Sequence, residues 1–151
     1  RWEGSGGGKK FVEFMKSRII PYIDSEFRTN PKLRVLNGYS LGGLIVLYTY
    51  LTENSLFSGY IAGSPYISSD VDLLSGFVQK NSSLLINSKA KLFISYGEFE
   101  EKEKYGIPIE NIFDELSLKK IGGIKKRVFE DGTHFTCPSE AMVYGLKYIF
   151  E

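Results

Sequence analysis

The sequence predicts an α/β domain built on a parallel sheet. Three observations support this fold class: four short apolar segments have the character of strands, helical segments separate them, and glycine-containing turns follow several of them. The length of 151 residues suits one domain with a real core, so residues 1–151 are predicted to form a single domain.

The predicted elements alternate along the chain after a glycine-rich loop over residues 1–8. In order, they are a helix over 11–23, a strand over 33–37, a bend over 38–43, a helix over 44–51, a strand over 60–62, a helix over 71–78, a strand over 91–96, a helix over 107–121, a strand over 126–129 and a helix over 139–150. Pro21 lies inside the first helix, where we expect a kink or a break because proline disturbs a helix interior.

The first predicted strand follows a helix and has no partner strand before it in the sequence. A parallel edge strand that carries Val35 and Leu36 would be unusually exposed. We therefore expect a segment N-terminal to Arg1, or a second chain, to complete the sheet.

Composition excludes several function classes. Hydrophobic residues make up 42% and charged residues 25%, and 19 Lys and Arg balance 18 Asp and Glu, which argues against nucleic-acid or electrostatic membrane binding. A single cysteine, Cys137, excludes an internal disulfide framework and a cysteine-based zinc cluster. No apolar run approaches the ~20 residues of a membrane span, and no cofactor or metal motif is present. We expect a soluble protein of the cytoplasm or periplasm.

The sharpest motif is Gly-Tyr-Ser-Leu-Gly at residues 38–42, which matches the Gly-x-Ser-x-Gly nucleophile elbow. In such an elbow, Ser40 lies on a strained turn between a strand and a helix, and side chains two residues away on either side would collide with the bend. The backbone N–H of Leu41 can then stabilise an oxyanion. The alternative is a glycine-rich turn with an exposed serine, but the apolar segments on both sides favour the elbow.

A serine nucleophile needs a base and usually a carboxylate. His134 is the single histidine and follows the last predicted strand, at the same end of the sheet as Ser40. The expected place for the carboxylate is the loop after the strand over 91–96, where we favour Glu100 over Glu98 and Glu101. The chain order Ser40, Glu100, His134 is that of the α/β-hydrolase scaffold.

Five stretches of the chain resemble the putative-esterase family of α/β hydrolases, and the siderophore-esterase branch is the nearest in appearance. That family includes trilactone siderophore esterases, feruloyl esterases, esterase D-like enzymes and mycolyl transferases. The stretches that carry the resemblance lie at residues 20–23, 34–43, 62–65, 97–100 and 132–134.

The resemblance implies a three-layer α/β/α sandwich of the α/β-hydrolase type that lacks its N-terminal strands. It assigns Ser40 as nucleophile, His134 as base and Glu100 as acid, although some members of the branch use a Ser–His dyad. It also places the second oxyanion donor in a loop that precedes the present residues. Since losing one donor typically costs ~10²–10³ in turnover, we expect this chain alone to be weakly active or inactive.

The predicted function is a serine carboxylic-ester hydrolase that forms an acyl-enzyme on a small ester, for which a siderophore trilactone is the best candidate. The alternatives are an acyltransferase on the same triad and a non-catalytic module with the same fold. Tyr39, Ser64 and Trp2 are candidates for the substrate cleft. Packing, turn chemistry and a surface loop, respectively, are their alternative explanations.

Overall fold

Four parallel strands form one sheet in a computed structural model that describes residues 6–151. The sheet order follows the chain: β1 Val35–Tyr39, β2 Gly59–Gly63, β3 Lys91–Gly97 and β4 Ile124–Phe129. In register, Val35 pairs with Gly59 and Gly59 with Lys91, while Leu92 pairs with Ile124. Each predicted strand is confirmed, with ends that shift by up to two residues.

Helices surround the sheet, and all the predicted helical segments are confirmed. They are α1 Gly8–Phe14, a π-helical turn Met15–Ile19, α2 Ile20–Glu26, α3 Leu41–Glu53, α4 Val71–Lys80, α5 Ser82–Ile86, a second π-helical turn Lys102–Gly106, α6 Ile107–Leu118 and α7 Pro138–Phe150. The short helix α5 and both π-helical turns were not predicted.

Pro21 does not break the first helical segment. The hydrogen bonding changes just before it instead, because the N–H of Ile20 donates to the carbonyl of Met15, five residues back. Proline has no N–H, and its ring crowds the carbonyl four residues earlier, so a wider turn accommodates it. The expected irregularity is therefore a π-helical turn.

Alternate residues of the central strands point to two separate cores. Tyr60 of β2 and Leu92 of β3 are buried in the large core beneath α3, α4 and α6. Ile61 and Phe93, their neighbours in sequence, pack on the opposite face with Ile149 of α7. This alternation confirms the three-layer α/β/α arrangement, because each face of the sheet buries its own side chains against helices.

The sheet ends at β1 on one side and β4 on the other within residues 6–151. Val35 and Leu36 of β1 are half-buried. The additional segment or second chain beside β1 therefore stays a prediction. Among the described residues, no helix combines the length and hydrophobicity that crossing a bilayer requires.

Candidate active site

Ser40 forms a strained corner between β1 and α3. Its backbone has φ 58° and ψ −117°, in the left-handed half of conformational space that residues with a Cβ rarely occupy. Its N–H donates to the carbonyl of Gly63 at 2.9 Å, and its own carbonyl accepts the N–H groups of Leu44 and Tyr66, each at 3.1 Å. These three hydrogen bonds hold the corner in one conformation.

The glycines around Ser40 differ in how closely other backbone atoms approach them. A Cβ on Gly38 would lie 2.4 Å from the carbonyl oxygen of Gly42, and one on Gly43 would lie 2.8 Å from that of Gly63. A Cβ on Gly42 would have no such neighbour within 4 Å. The expected collision is thus confirmed at Gly38 but wrong at Gly42; the close approach on the helical side belongs to Gly43.

His134 lies in the loop between β4 and α7 and reaches the serine corner. Its Nε2 is 3.1 Å from Ser40 Oγ. The imidazole packs against the ring of Tyr39, with centroids 5.1 Å apart, and against that of Tyr105, with centroids 4.6 Å apart. The loop packs tightly against Cys137 at Gly132, where an added Cβ would lie 2.4 Å from Cys137 Sγ.

Glu100 meets His134 from the other side. Its Oε2 is 3.1 Å from His134 Nδ1, and its side chain is completely buried. Of the two competing glutamates, Glu98 accepts the N–H of Asp131 at 3.2 Å and Glu101 pairs with a lysine at the surface. The structure therefore brings Ser40, His134 and Glu100 into one chain of hydrogen bonds.

The residues predicted to line the substrate cleft or the oxyanion site lie at different positions relative to Ser40. Ser64 is completely buried, and its Oγ lies 2.5 Å from Glu100 Oε1, so it contacts Glu100 rather than an open cleft. The Tyr39 phenol oxygen lies 2.8 Å from Ser64 Oγ, and burial raises the pKa of that phenol, which keeps it protonated. Leu41 is half-exposed at the start of α3. Trp2 lies outside the described residues.

Tyr105 belongs to this site although the sequence did not point to it. It lies on the π-helical turn after β3, and its ring covers the imidazole of His134. Burial raises the pKa of its phenol, and the nearby Ser40 side chain partly opposes that shift. Sequence reasoning missed Tyr105 because it follows the charged run over 101–104. No local pattern in that run distinguishes an exposed surface turn from a turn that folds back over His134.

A largely apolar cleft opens next to the serine corner, with a volume of about 720 Å³. Leu41 and Leu44 of α3 line it together with Tyr66, while Phe77 of α4 lines it from the far side. The cleft meets the serine corner through Leu41, the residue after Ser40, and through Tyr66, whose N–H donates to the Ser40 carbonyl.

Cys137 is completely buried beneath the His134 loop and packs with Phe129 and Ala141. Burial raises the pKa of its thiol, which disfavours the reactive thiolate. It packs as a small apolar side chain.

A parallel sheet with helices on both faces, a strained serine after one strand and a histidine after a later one define a protein of the α/β-hydrolase fold. The chain belongs to the family described as "Putative esterase", whose model matches residues 2–106.

Known relatives are similar to this chain over part of their length. The ferri-bacillibactin esterase BesA of Bacillus subtilis is 28% identical over 138 residues, which cover 85% of this chain and 46% of BesA. The apo-salmochelin esterase of Escherichia coli is 34% identical over 70 residues, which cover 46% of this chain and 22% of that protein. The chain thus spans less than half the length of these two proteins.

A solved structure shows the same fold. The siderophore hydrolase EstA from Aspergillus nidulans superposes with a TM-score of 0.80 at 21% identity, over 95% of this chain and 57% of EstA. This likeness agrees with the three-layer parallel architecture.

Proposed function

We propose that the protein containing this chain is a serine carboxylic-ester hydrolase in which Ser40, His134 and Glu100 form a catalytic triad. The observation that supports it most directly is the pair of 3.1 Å contacts that link Ser40 Oγ to His134 Nε2 and His134 Nδ1 to Glu100 Oε2. Nucleophile, base and orienting acid must lie within such hydrogen-bonding reach of one another.

The partners of the imidazole fix its tautomer. A carboxylate can only accept hydrogen bonds, so Nδ1 carries the hydrogen that points at Glu100. Nε2 is then left with its lone pair towards the Ser40 hydroxyl. His134 can therefore take the proton from Ser40 while the buried carboxylate stabilises the positive charge that forms on the ring.

The reaction proceeds in two halves. In the first, Ser40 Oγ bonds to the ester carbonyl carbon as its proton moves to His134 Nε2; the carbon–oxygen bond to the alcohol then breaks, and that oxygen leaves with the proton. In the second, His134 takes a proton from water, the hydroxide oxygen bonds to the acyl carbon, and the acid leaves as Ser40 regains its proton. No cofactor takes part in these steps.

The backbone N–H of Leu41 is the oxyanion donor in this proposal. It belongs to the first turn of α3, where N–H groups have no acceptor inside the helix. The helix dipole also favours negative charge at this end. A developing oxyanion near Ser40 would thus be stabilised as the carbonyl carbon becomes tetrahedral.

The proposed substrate is a siderophore ester of the enterobactin-like trilactone class. The support lies in the relatives' names, since BesA is a ferri-bacillibactin esterase and the relative from Escherichia coli is an apo-salmochelin esterase. The apolar cleft beside Leu41 offers room for an acyl or aryl part of such an ester.

Active-site labelling tests the reaction class directly. A fluorophosphonate should attach to Ser40 and nowhere else, as located by peptide mass spectrometry, and Ser40→Ala should abolish the label. Ser95→Ala serves as a comparison, because it removes a buried hydroxyl that has no hydrogen-bond partner among residues 6–151 but leaves the nucleophile. A folded protein that takes no label would contradict the proposal and favour a non-catalytic module.

Product analysis tests the substrate and the acceptor. Enterobactin, with and without iron, should be converted to ring-opened acids that chromatography and mass spectrometry identify. Addition of a simple alcohol should leave the acid as the main product. A dominant new ester would indicate an acyltransferase instead.

A further inference from the structure

We propose that Ser64 is a positioning residue for the acid of the triad, with Tyr39 as its partner: the two hydroxyls and one backbone N–H fix Glu100 so that Oε2 alone faces His134. The proposal rests on the function proposed above. It gives Ser64 and Tyr39 a role behind the acid instead of in the substrate cleft.

The two oxygens of Glu100 have separate partners. Oε2 contacts His134 Nδ1 at 3.1 Å. Oε1 accepts the N–H of Gly97 at 2.9 Å and lies 2.5 Å from Ser64 Oγ, while the Tyr39 phenol is at the outer limit of contact at 3.5 Å. A carboxylate held through one oxygen in this way cannot turn without losing these contacts.

The direction of the hydrogen bonds follows from what each group can donate. Ser64 has one hydroxyl hydrogen, and the carboxylate of Glu100 can only accept, so Ser64 donates to Oε1. The Ser64 oxygen then accepts from the Tyr39 phenol, 2.8 Å away. Burial raises the pKa of this phenol, so it remains a donor. The chain of donors runs from Tyr39 through Ser64 to Glu100.

The backbone is shaped to make this contact. Ser64 follows β2 with φ 37°, a conformation that is strained for serine and that directs its side chain beneath the loop after β3. Gly63 leaves the space through which the Tyr39 ring crosses β2, because a Cβ there would lie 2.6 Å from Tyr39 Cδ2. The strained backbone of Ser64 and the absence of a side chain at Gly63 therefore occur side by side, where the hydroxyl donors approach Glu100.

Ser95 provides a matched control. It is the neighbour of Gly63 in β3, it is completely buried like Ser64, and its hydroxyl has no hydrogen-bond partner among residues 6–151. Ser95→Ala therefore removes a buried hydroxyl from the same part of the sheet without touching Glu100. Any general effect of such a deletion on the sheet is common to both variants.

The first experiment measures the rate constant of fluorophosphonate labelling at Ser40. Ser64→Ala should lower it about tenfold to a hundredfold, since hydrogen bonds to charged groups are among the strongest in proteins. Ser95→Ala should leave it unchanged. In a Glu100→Gln background, Ser64→Ala should have little further effect, because the group on which it acts is gone. If Ser64→Ala does not fold, Ser64→Gly replaces it, since glycine suits the positive φ.

The second experiment observes the imidazole directly by proton NMR. His134 is the single histidine of the chain, so its Nδ1–H resonance needs no further assignment. Ser64→Ala and Tyr39→Phe should each shift or broaden that resonance, whereas Ser95→Ala should not. This measurement does not depend on catalysis, so a wild-type protein that fails to label but shows the NMR response would refute the proposed reaction and leave the positioning role intact.

Three results would overturn the positioning role. One is a Ser64→Ala variant with unchanged labelling and an unchanged resonance. Another is an equal loss in Ser64→Ala and Ser95→Ala, which would indicate a purely structural effect. The third is a Ser64→Ala effect that persists in full in the Glu100→Gln background.

Discussion

The two ends of the parallel sheet are built in different ways. At the carboxyl ends, Ser40 follows β1 with φ 58°, Ser64 follows β2 with φ 37°, and Asp131 follows β4 with φ 54°. Conformations of this kind cost on the order of 1–3 kcal/mol for a residue other than glycine, and they persist only where surrounding contacts hold them. This is also the end at which Glu100 is completely buried.

At the amino ends, the contacts are of the ordinary stabilising kind. The carbonyl of Arg34, just before β1, accepts the N–H groups of Ser58 and Gly59. Lys91 at the start of β3 donates from Nζ to the last carbonyls of α7, as cations commonly do at the C-terminus of a helix. Before β4, positive φ occurs at Gly123, for which it is not strained, and at Lys120 with φ 57°, directly after the C-cap of α6, where helices commonly end in the left-handed conformation.

The difference shows where the fold accepts strain. Within the described residues, strained serines and a buried charge lie at the end where Ser40, Glu100 and His134 meet, while the opposite end satisfies helix and strand termini. Substitutions at the carboxyl ends should therefore affect reactivity more than stability, and those at the amino ends should do the reverse.

Removal of the nucleophile should give the largest effect. Ser40→Ala should lower ester hydrolysis and fluorophosphonate labelling about 10⁴-fold or more, because the loss of one triad member removes the coupled action of all three. Ser40→Gly should be equally inactive but more stable than Ser40→Ala in thermal unfolding, since glycine tolerates φ 58°. An active Ser40→Ala variant would contradict the assignment of Ser40.

The acid should give the next largest effect. Glu100→Gln keeps the shape of the side chain but removes the charge behind His134, so kcat should fall about 10³- to 10⁴-fold. Glu98→Gln is the matched control, because Glu98 contacts the N–H of Asp131 instead and should change kcat less than twofold. Equal, small effects of the two substitutions on ester hydrolysis would indicate a Ser–His dyad.

Local patterns account for much of this architecture. Alternating strands and helices predicted the parallel sheet. Because parallel strands run in the same direction, the residues after β1 and β4 were predicted to lie at the same end of that sheet. The loop after β3 was predicted to supply the acid by the same reasoning, whereas Glu100 was favoured within that loop over Glu98 and Glu101 and matches the acid position that the family resemblance implies. The first three of these inferences use only chain order and the parallel direction of the strands, which a sequence records directly.

Other features depend on contacts between segments that are distant in the chain. The contact of Ser64 with Glu100 joins residues that are 36 positions apart, and Tyr105 lies on a π-helical turn that no apolar period indicates. Gly42 matched the elbow pattern, yet the close approach belongs to Gly43, whose neighbours are Gly63 and Pro65. Spacing along the chain cannot reveal which backbone segment approaches a glycine.

Alanine substitutions at Gly38 and Gly42 should change the free energy of unfolding in opposite directions. Gly38→Ala should lower the free energy of unfolding by at least about 1–3 kcal/mol, because the new Cβ would lie 2.4 Å from backbone at Gly42. Gly42→Ala should raise it by about 0.5–1 kcal/mol, because its Cβ meets open space in α3, where alanine is the better helix former. Chemical denaturation measures both, and equal destabilisation would contradict the geometry.

At the amino ends, Lys91→Met should give the smallest effect and one confined to stability. The substitution keeps an apolar stem but removes the ammonium that donates to the carbonyls of Tyr148 and Ile149. Loss of a cation at a helix C-terminus typically costs about 0.3–1 kcal/mol, so the free energy of unfolding should fall by that amount while the labelling rate at Ser40 stays unchanged. Lys89→Met, at an exposed position two residues earlier, is the control and should leave both quantities unchanged. A slower labelling rate in Lys91→Met would mean that the two ends of the sheet are coupled. It would contradict the expectation that substitutions at the amino ends change stability but not reactivity.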